Sequence, residues 1–160
     1  MSPTSPRCYQ VAYQARPALL RGTVLCALSA VELTESCELL LAVAQQHSCP
    51  FWLLDGRSDH VGHETAVYDW MREEFFPRAY QVLGRIPCVA FMAQPEFWQR
   101  LQARGYVPVD PVTVSAAFRT NWFVEEADAL AWLAQFRPTI GVPETQEAPP
   151  VAGGASELMA

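Results

Sequence analysis

Phe51-Trp52-Leu53-Leu54-Asp55 is a short, nearly all-apolar run that ends in an acid, with Pro50 before it and Gly56-Arg57 after it. A strand buried on both faces reads this way, because helices cover both sides of a parallel sheet. Cys88–Met92 (CVAFM) is a second such run. Between the two, Glu64–Leu83 reads as helical with Pro77 inside it. Proline lacks an N–H and clashes with the turn before it, so a kink or two abutting helices is expected there.

The pattern extends outward from this pair of strands. Tyr9–Gln14 and Pro17–Leu25 read as two strands joined by a short turn at Ala15-Arg16, a hairpin. Ser29 begins a capping box with Glu32, in which each side chain satisfies a free helical N–H. A helix follows to about Gln46, with Leu33, Cys37, Leu40, Leu41 and Ala44 at helical spacing. After CVAFM, Pro95 suits the first turn of a helix and Gly105 its C-terminal cap. The stretch PVDPVTV reads as a loop and Thr113–Phe118 as the final strand. Glu125 and Glu126 fall early in a last helix, where they favour its dipole. Phe123, Ala127, Leu130, Ala131 and Ala134 form one apolar stripe there. The order ββαβαβαβα defines an α/β domain: a mixed, mostly parallel five-stranded sheet covered by about four helices. The hairpin supplies one antiparallel edge strand.

The chain has 160 residues and is 51% apolar, enough for one domain with a real core, placed at residues 8–137. Residues 1–7 read as a flexible start. Residues 138–160 are rich in Pro, Gly and Ala and hold no aromatic, so they read as a disordered tail. The net charge of −6 argues against sequence-independent nucleic-acid binding and against an anionic membrane surface. All eleven basic residues are Arg. No apolar run is long enough for a transmembrane helix, and MSPTSPR has no apolar signal-peptide core. Cytoplasmic location follows as the expectation. The five cysteines are odd in number and show no CxxC spacing, which suggests reduced thiols.

Three local patterns resemble STAS-like domains, the group related to bacterial anti-sigma-factor antagonists. The likeness is to the small sporulation-regulator-like branch grouped with CRAL-TRIO-type lipid-binding domains. The first pattern is FWLLD followed by Gly56-Arg57. The second runs from Trp70 through Glu74-Phe75-Phe76-Pro77-Arg78-Ala79 to a Gly and then Cys88–Met92. The third runs from Phe118-Arg119-Thr120 through Glu125-Glu126-Ala127 to Ala129-Leu130-Ala131-Trp132-Leu133. Together they span roughly Tyr9–Phe136. The resemblance implies a STAS-like sheet and a non-enzymatic regulatory or ligand-binding role. Phosphorylatable members carry Asp-Ser-Ser-Gly or a close variant after the central strand. Asp55-Gly56-Arg57-Ser58-Asp59 departs from that pattern, which puts the phospho-switch in doubt.

Ligands of open α/β sheets bind beyond the carboxyl ends of the strands. Asp55, Arg57 and Ser58 would lie there, with Gln94 after the next strand. Arg57 is suited to a bidentate contact with phosphate or carboxylate. The plainer alternative is a polar loop in which Arg57 pairs with Asp55 or Asp59. Ser58 is a candidate phosphoacceptor, acting by repulsion beside Asp59, or simply a turn serine. His60 and His63 lack the i,i+4 spacing of zinc helices and an evident third ligand, so no metal is expected. No nucleophile elbow, P-loop or dinucleotide fingerprint is present, so neither an enzyme nor a cofactor is expected. On a helical wheel Val67, Tyr68, Met71, Phe75 and Phe76 share one face, and Trp70 falls outside it. It either folds over a neighbouring loop or marks a surface for a protein partner or second copy. Three functions remain: a protein-interaction module or homodimer; a carrier of a small apolar or anionic, lipid-like ligand with its pocket lined by the 66–76 and 95–101 helices; and a phospho-regulated antagonist acting at Ser58.

Overall fold

The FWLLD run is the middle strand of a five-stranded sheet in the computed structural model, which describes residues 8–59, 64–105 and 117–138. The strands are β1 (Tyr9–Ala15), β2 (Ala18–Val24), β3 (Phe51–Asp55), β4 (Cys88–Met92) and β5 (Arg119–Phe123). The helices are α1 (Ala30–His47), α2 (Thr65–Trp70), α3 (Phe76–Leu83), α4 (Pro95–Ala103) and α5 (Glu126–Ala134). The strands lie side by side in chain order. β1 is antiparallel to β2, and the other three pairings are parallel. The molecule is therefore α/β with a mixed, mostly parallel sheet.

Side chains alternate across a strand, so the registers sort the residues into two faces. Leu20, Trp52 and Val89 align on one face, as do Gly22, Leu54, Phe91 and Trp122. The helices between the parallel strands cover this face. Trp52 packs against Phe75 and Phe76 at 6.2 Å each, and its indole N–H donates to the Cys49 carbonyl at 2.8 Å. On the opposite face, Phe123 meets Trp132 of α5 at 5.8 Å. Arg21 of β2 forms a two-pronged pair with Glu126 at 3.0 and 3.2 Å, and Arg137 donates to the Ala18 carbonyl at 2.6 Å. The last helix thus clamps strands from the start of the chain.

Local chemistry accounts for the boundaries. At the start of α1, the Ser29 hydroxyl accepts from the Glu32 N–H and the Glu32 carboxylate from the Ser29 N–H. Leu33, Cys37, Leu40, Leu41 and Ala44 are all buried. At the other end of α1, His47 stacks on Tyr13 at 3.8 Å. Gly105, in the left-handed region at φ 87°, ends the turn after α4.

The kink expected at Pro77 takes a specific form. α2 runs into a π-helical turn, Met71–Phe75, and then into α3 with Pro77 in its first turn. Within the turn the Phe76 N–H bonds the Met71 carbonyl, five residues back. A π-turn often marks a functional segment. Here it widens the helix just where proline cannot supply an N–H.

Several sequence expectations need correction. The last strand is Arg119–Phe123, not Thr113–Phe118; Ala117 and Phe118 precede it, and 113–116 lie outside the described residues. α5 buries Ala129, Trp132 and Leu133, while Ala127, Ala131 and Ala134 are exposed, because the helix docks through its tryptophan side. The cysteines are not all reduced thiols: Cys8 and Cys26 form a disulfide, with Cα atoms 4.8 Å apart. The hairpin brings them together, since Tyr9 pairs with Val24 and the Leu25 N–H donates to the Cys8 carbonyl at 2.7 Å. Cys37, Cys49 and Cys88 are free and buried. Residues 1–7 and 139–160, read as flexible segments, lie outside the described residues, as do His60 and His63.

Candidate functional site

A cavity of about 70 Å³ opens on the helix-covered face near the carboxyl ends of the parallel strands. One water needs only about 10–15 Å³, so there is room for a small organic group. Gly22, Val24, Leu54, Phe91 and Trp122 form its floor. Leu33 and Cys37 close it from α1, and Tyr68, Met71 and Phe97 from α2, the π-turn and α4. Asp55, Gly56 and Asp59 make a polar edge.

The aromatic wall is stacked in depth. Trp122 stacks with Phe91 at 4.5 Å and with Trp98 at 5.3 Å, both nearly parallel to it. Tyr68 meets Trp122 edge-on at 5.5 Å, and Phe97 lies 6.1 Å from both. Rings in such arrays hold one another in place.

Tyr9 reaches this space from β1 and is only 6% exposed. Its hydroxyl lies over Gly22, where a Cβ would overlap it. Among the described residues it makes no hydrogen bond. Burial, and then the nearby Cys37 sulfur, push its pKa up, so it stays a neutral O–H. Burial likewise pushes the Cys37 thiol up to about 12, with Glu38 adding to the shift. Neither group is charged at neutral pH.

The loop after β3 is polar but engaged. Arg57 donates to both Asp55 carboxylate oxygens, at 3.0 and 2.8 Å, and its backbone N–H adds a third bond at 3.0 Å. Burial would raise the Asp55 pKa; the Arg57 bonds outweigh it and hold the carboxyl low. The Arg57 guanidinium also lies 4.0 Å from Glu126 of α5. It therefore lies between Asp55 and Glu126 and is not among the residues that line the cavity. Ser58 is exposed in a turn closed by the Asp59 N–H on the Gly56 carbonyl at 3.1 Å. Gln94 donates to the Arg57 carbonyl at 3.0 Å, and its own carbonyl accepts the Trp98 N–H as α4 begins. Asp55, Arg57, Ser58 and Gln94 thus share one neighbourhood.

Trp70 stands apart from them. It is half-buried and stacks on Phe75 at 5.5 Å and 21°. The π-turn brings residues five apart into register, so the helical wheel misplaces this side chain. Sequence reasoning gave Tyr9 and Gly22 no site role and placed Cys37 only on the apolar stripe of α1. One signal was present: a glycine inside a strand often marks the close approach of another group.

Among the described residues, no three His, Cys, Asp or Glu side chains converge as metal ligands. No described helix is long and apolar enough to cross a membrane. No protein-family model, curated protein or solved structure matches the chain.

Proposed function

We propose that this protein is a non-enzymatic binding module of STAS-like type that carries a small apolar ligand in the cavity beside Tyr9, Tyr68 and Trp122. The observation that carries this reading is the cavity itself: an apolar, aromatic-walled space near the carboxyl ends of the parallel strands, where such sheets place their ligands. The tyrosine and cysteine that reach it stay protonated, so they supply neither a base nor a thiolate nucleophile. The same neutrality disfavours an anionic guest, since burying an unpaired charge is costly. Among the sequence alternatives, this favours the apolar carrier over the anion carrier and over an antagonist acting at the exposed Ser58.

Native mass spectrometry of freshly purified full chain, followed by thermal melts with single-ring hydrocarbons, tests the reading. A co-purified small molecule, or a Tm that rises with millimolar toluene, is the expected result, because a ligand of the folded state stabilises it by mass action. A bare chain mass together with a Tm unmoved by any single-ring probe would overturn it.

A further inference from the structure

We infer that the ligand is uncharged, with a hydrocarbon body and one hydroxyl or carbonyl oxygen, and that Tyr9 reads that oxygen. This rests on the cavity being the binding site and adds the chemistry of its occupant.

Phenylalanine would place the same ring at position 9 without a polar atom at the cavity. Tyrosine instead puts a hydroxyl into an apolar space where no described residue bonds it. The hydroxyl keeps some exposure at the cavity, so it is open to a guest there. Gly22 sharpens the point. The strand lacks a side chain at the one position where the Tyr9 hydroxyl lies.

The hydroxyl is also held in place. Tyr9 pairs with Val24 across the hairpin, and the Cys8–Cys26 bridge sits one residue away. A fixed donor costs little ordering when a guest arrives. The rest of the lining decides what the guest can be. Leu33, Leu54, Met71, Phe91 and Phe97 suit a hydrocarbon body. Of the acidic groups along the cavity, Cys37 keeps its proton, the Asp55 carboxylate is taken by Arg57, and Asp59 adds a second acidic side chain at the polar edge. A neutral oxygen satisfies Tyr9; a carboxylate or phosphate would enter with no counter-charge from these groups.

Three single-ring probes separate the possibilities: toluene, benzyl alcohol and benzoate, titrated by calorimetry or NMR into the wild-type chain and into Tyr9→Phe. The wild type is expected to bind benzyl alcohol at least about tenfold more tightly than toluene, as sites built around a hydrogen bond do, and benzoate weakest. Y9F is expected to lose that preference and bind toluene as well as or better than the wild type does. Equal binding of toluene and benzyl alcohol by the wild type overturns the inference while leaving the apolar cavity standing. Tightest binding of benzoate overturns it in favour of a charged guest. A preference that survives intact in Y9F shows that another group reads the oxygen and also overturns it. If none of the three binds, the cavity reading falls and the inference falls with it. The wild-type series decides the ligand class even if the variant misfolds.

Discussion

The Tyr9 hydroxyl occupies the place where a side chain on Gly22 would stand. Each residue therefore constrains the other. Gly22→Ala forces the methyl against the hydroxyl and against Leu54, and overpacking of this kind costs about 1–3 kcal/mol. In a Tyr9→Phe background the cost is expected to shrink, because the first atom the methyl meets is gone. Urea unfolding of both single variants and the double variant reads this coupling as a departure from additivity. Y9F alone is expected to be as stable as the wild type or more so, since the hydroxyl it removes has no described partner.

The hairpin staple offers a second test. Cys8 is half-exposed and Cys26 exposed, so a dithiol reductant can reach the bridge. The bond closes a loop of sequence separation 18. Chain-entropy arguments assign such a loop about 3 kcal/mol. Cys8→Ser/Cys26→Ser, or reduction of the wild type, is expected to lower unfolding stability by about that much and to weaken probe binding, because Tyr9 loses its anchor. Equal probe affinity of oxidised and reduced protein would show that β1 is held by strand pairing alone.

Acid should loosen the contact between β3 and its loop. The Arg57 bonds hold the Asp55 pKa below its ordinary value, and the Arg78 pair does the same for Glu38. A depressed folded-state pKa gives stability that is fully present above the unfolded value, near pH 4, and is lost as pH falls through the folded value. Stability is therefore expected to fall below about pH 4. Asp55→Asn should flatten part of that fall and cost about 1 kcal/mol at neutral pH, a modest figure because Arg57 is partly exposed. Denaturant midpoints measured from pH 7 down to 3 check both statements.

Trp70 separates packing from partnership. Its stack on Phe75 predicts that Trp70→Ala costs about 2 kcal/mol, less than the loss of a fully buried aromatic. Trp70 does not line the cavity, so probe affinity should be unchanged. Sedimentation of wild type and variant tests the partner reading. A wild-type dimer that becomes monomeric on W70A would place a subunit interface there.

How far the sequence reaches depends on what fixes each feature. FWLLD, CVAFM, the Ser29–Glu32 box and the α1 stripe are local signals, and the structure shows each where the residues indicate it. β5 was obscured because it opens with three polar residues, Arg119-Thr120-Asn121, beside a more uniformly strand-like stretch. Its burial comes from Trp122 in a distant aromatic stack. The disulfide depends on hairpin register, which cysteine counting does not contain. Trp70 was misplaced because a wheel of 100° per residue holds no π-turn. For Arg57 the residues left two readings open, an anion contact or a pair with Asp55 or Asp59, and the Asp55 pair is present in the structure. The cavity was legible only in part: the 66–76 and 95–101 helices expected to line a pocket supply Tyr68, Met71 and Phe97, whereas the contributions of the five strands and α1 depend on the assembled sheet.

The clamp formed by α5 bears on how the chain is made. Strands in sequential order can join the sheet one after another as synthesis proceeds, each beside its predecessor. The opposite face has no such schedule. Arg21 meets Glu126 across 105 residues, and Ala18 waits for Arg137 across 119. Until the last helix leaves the ribosome, Phe51 and its neighbours on that face stand open to water, the condition in which nascent sheets associate wrongly. A ribosome-bound chain stopped before residue 126 should therefore need a chaperone, whereas one extended past 137 and clear of the exit tunnel should not.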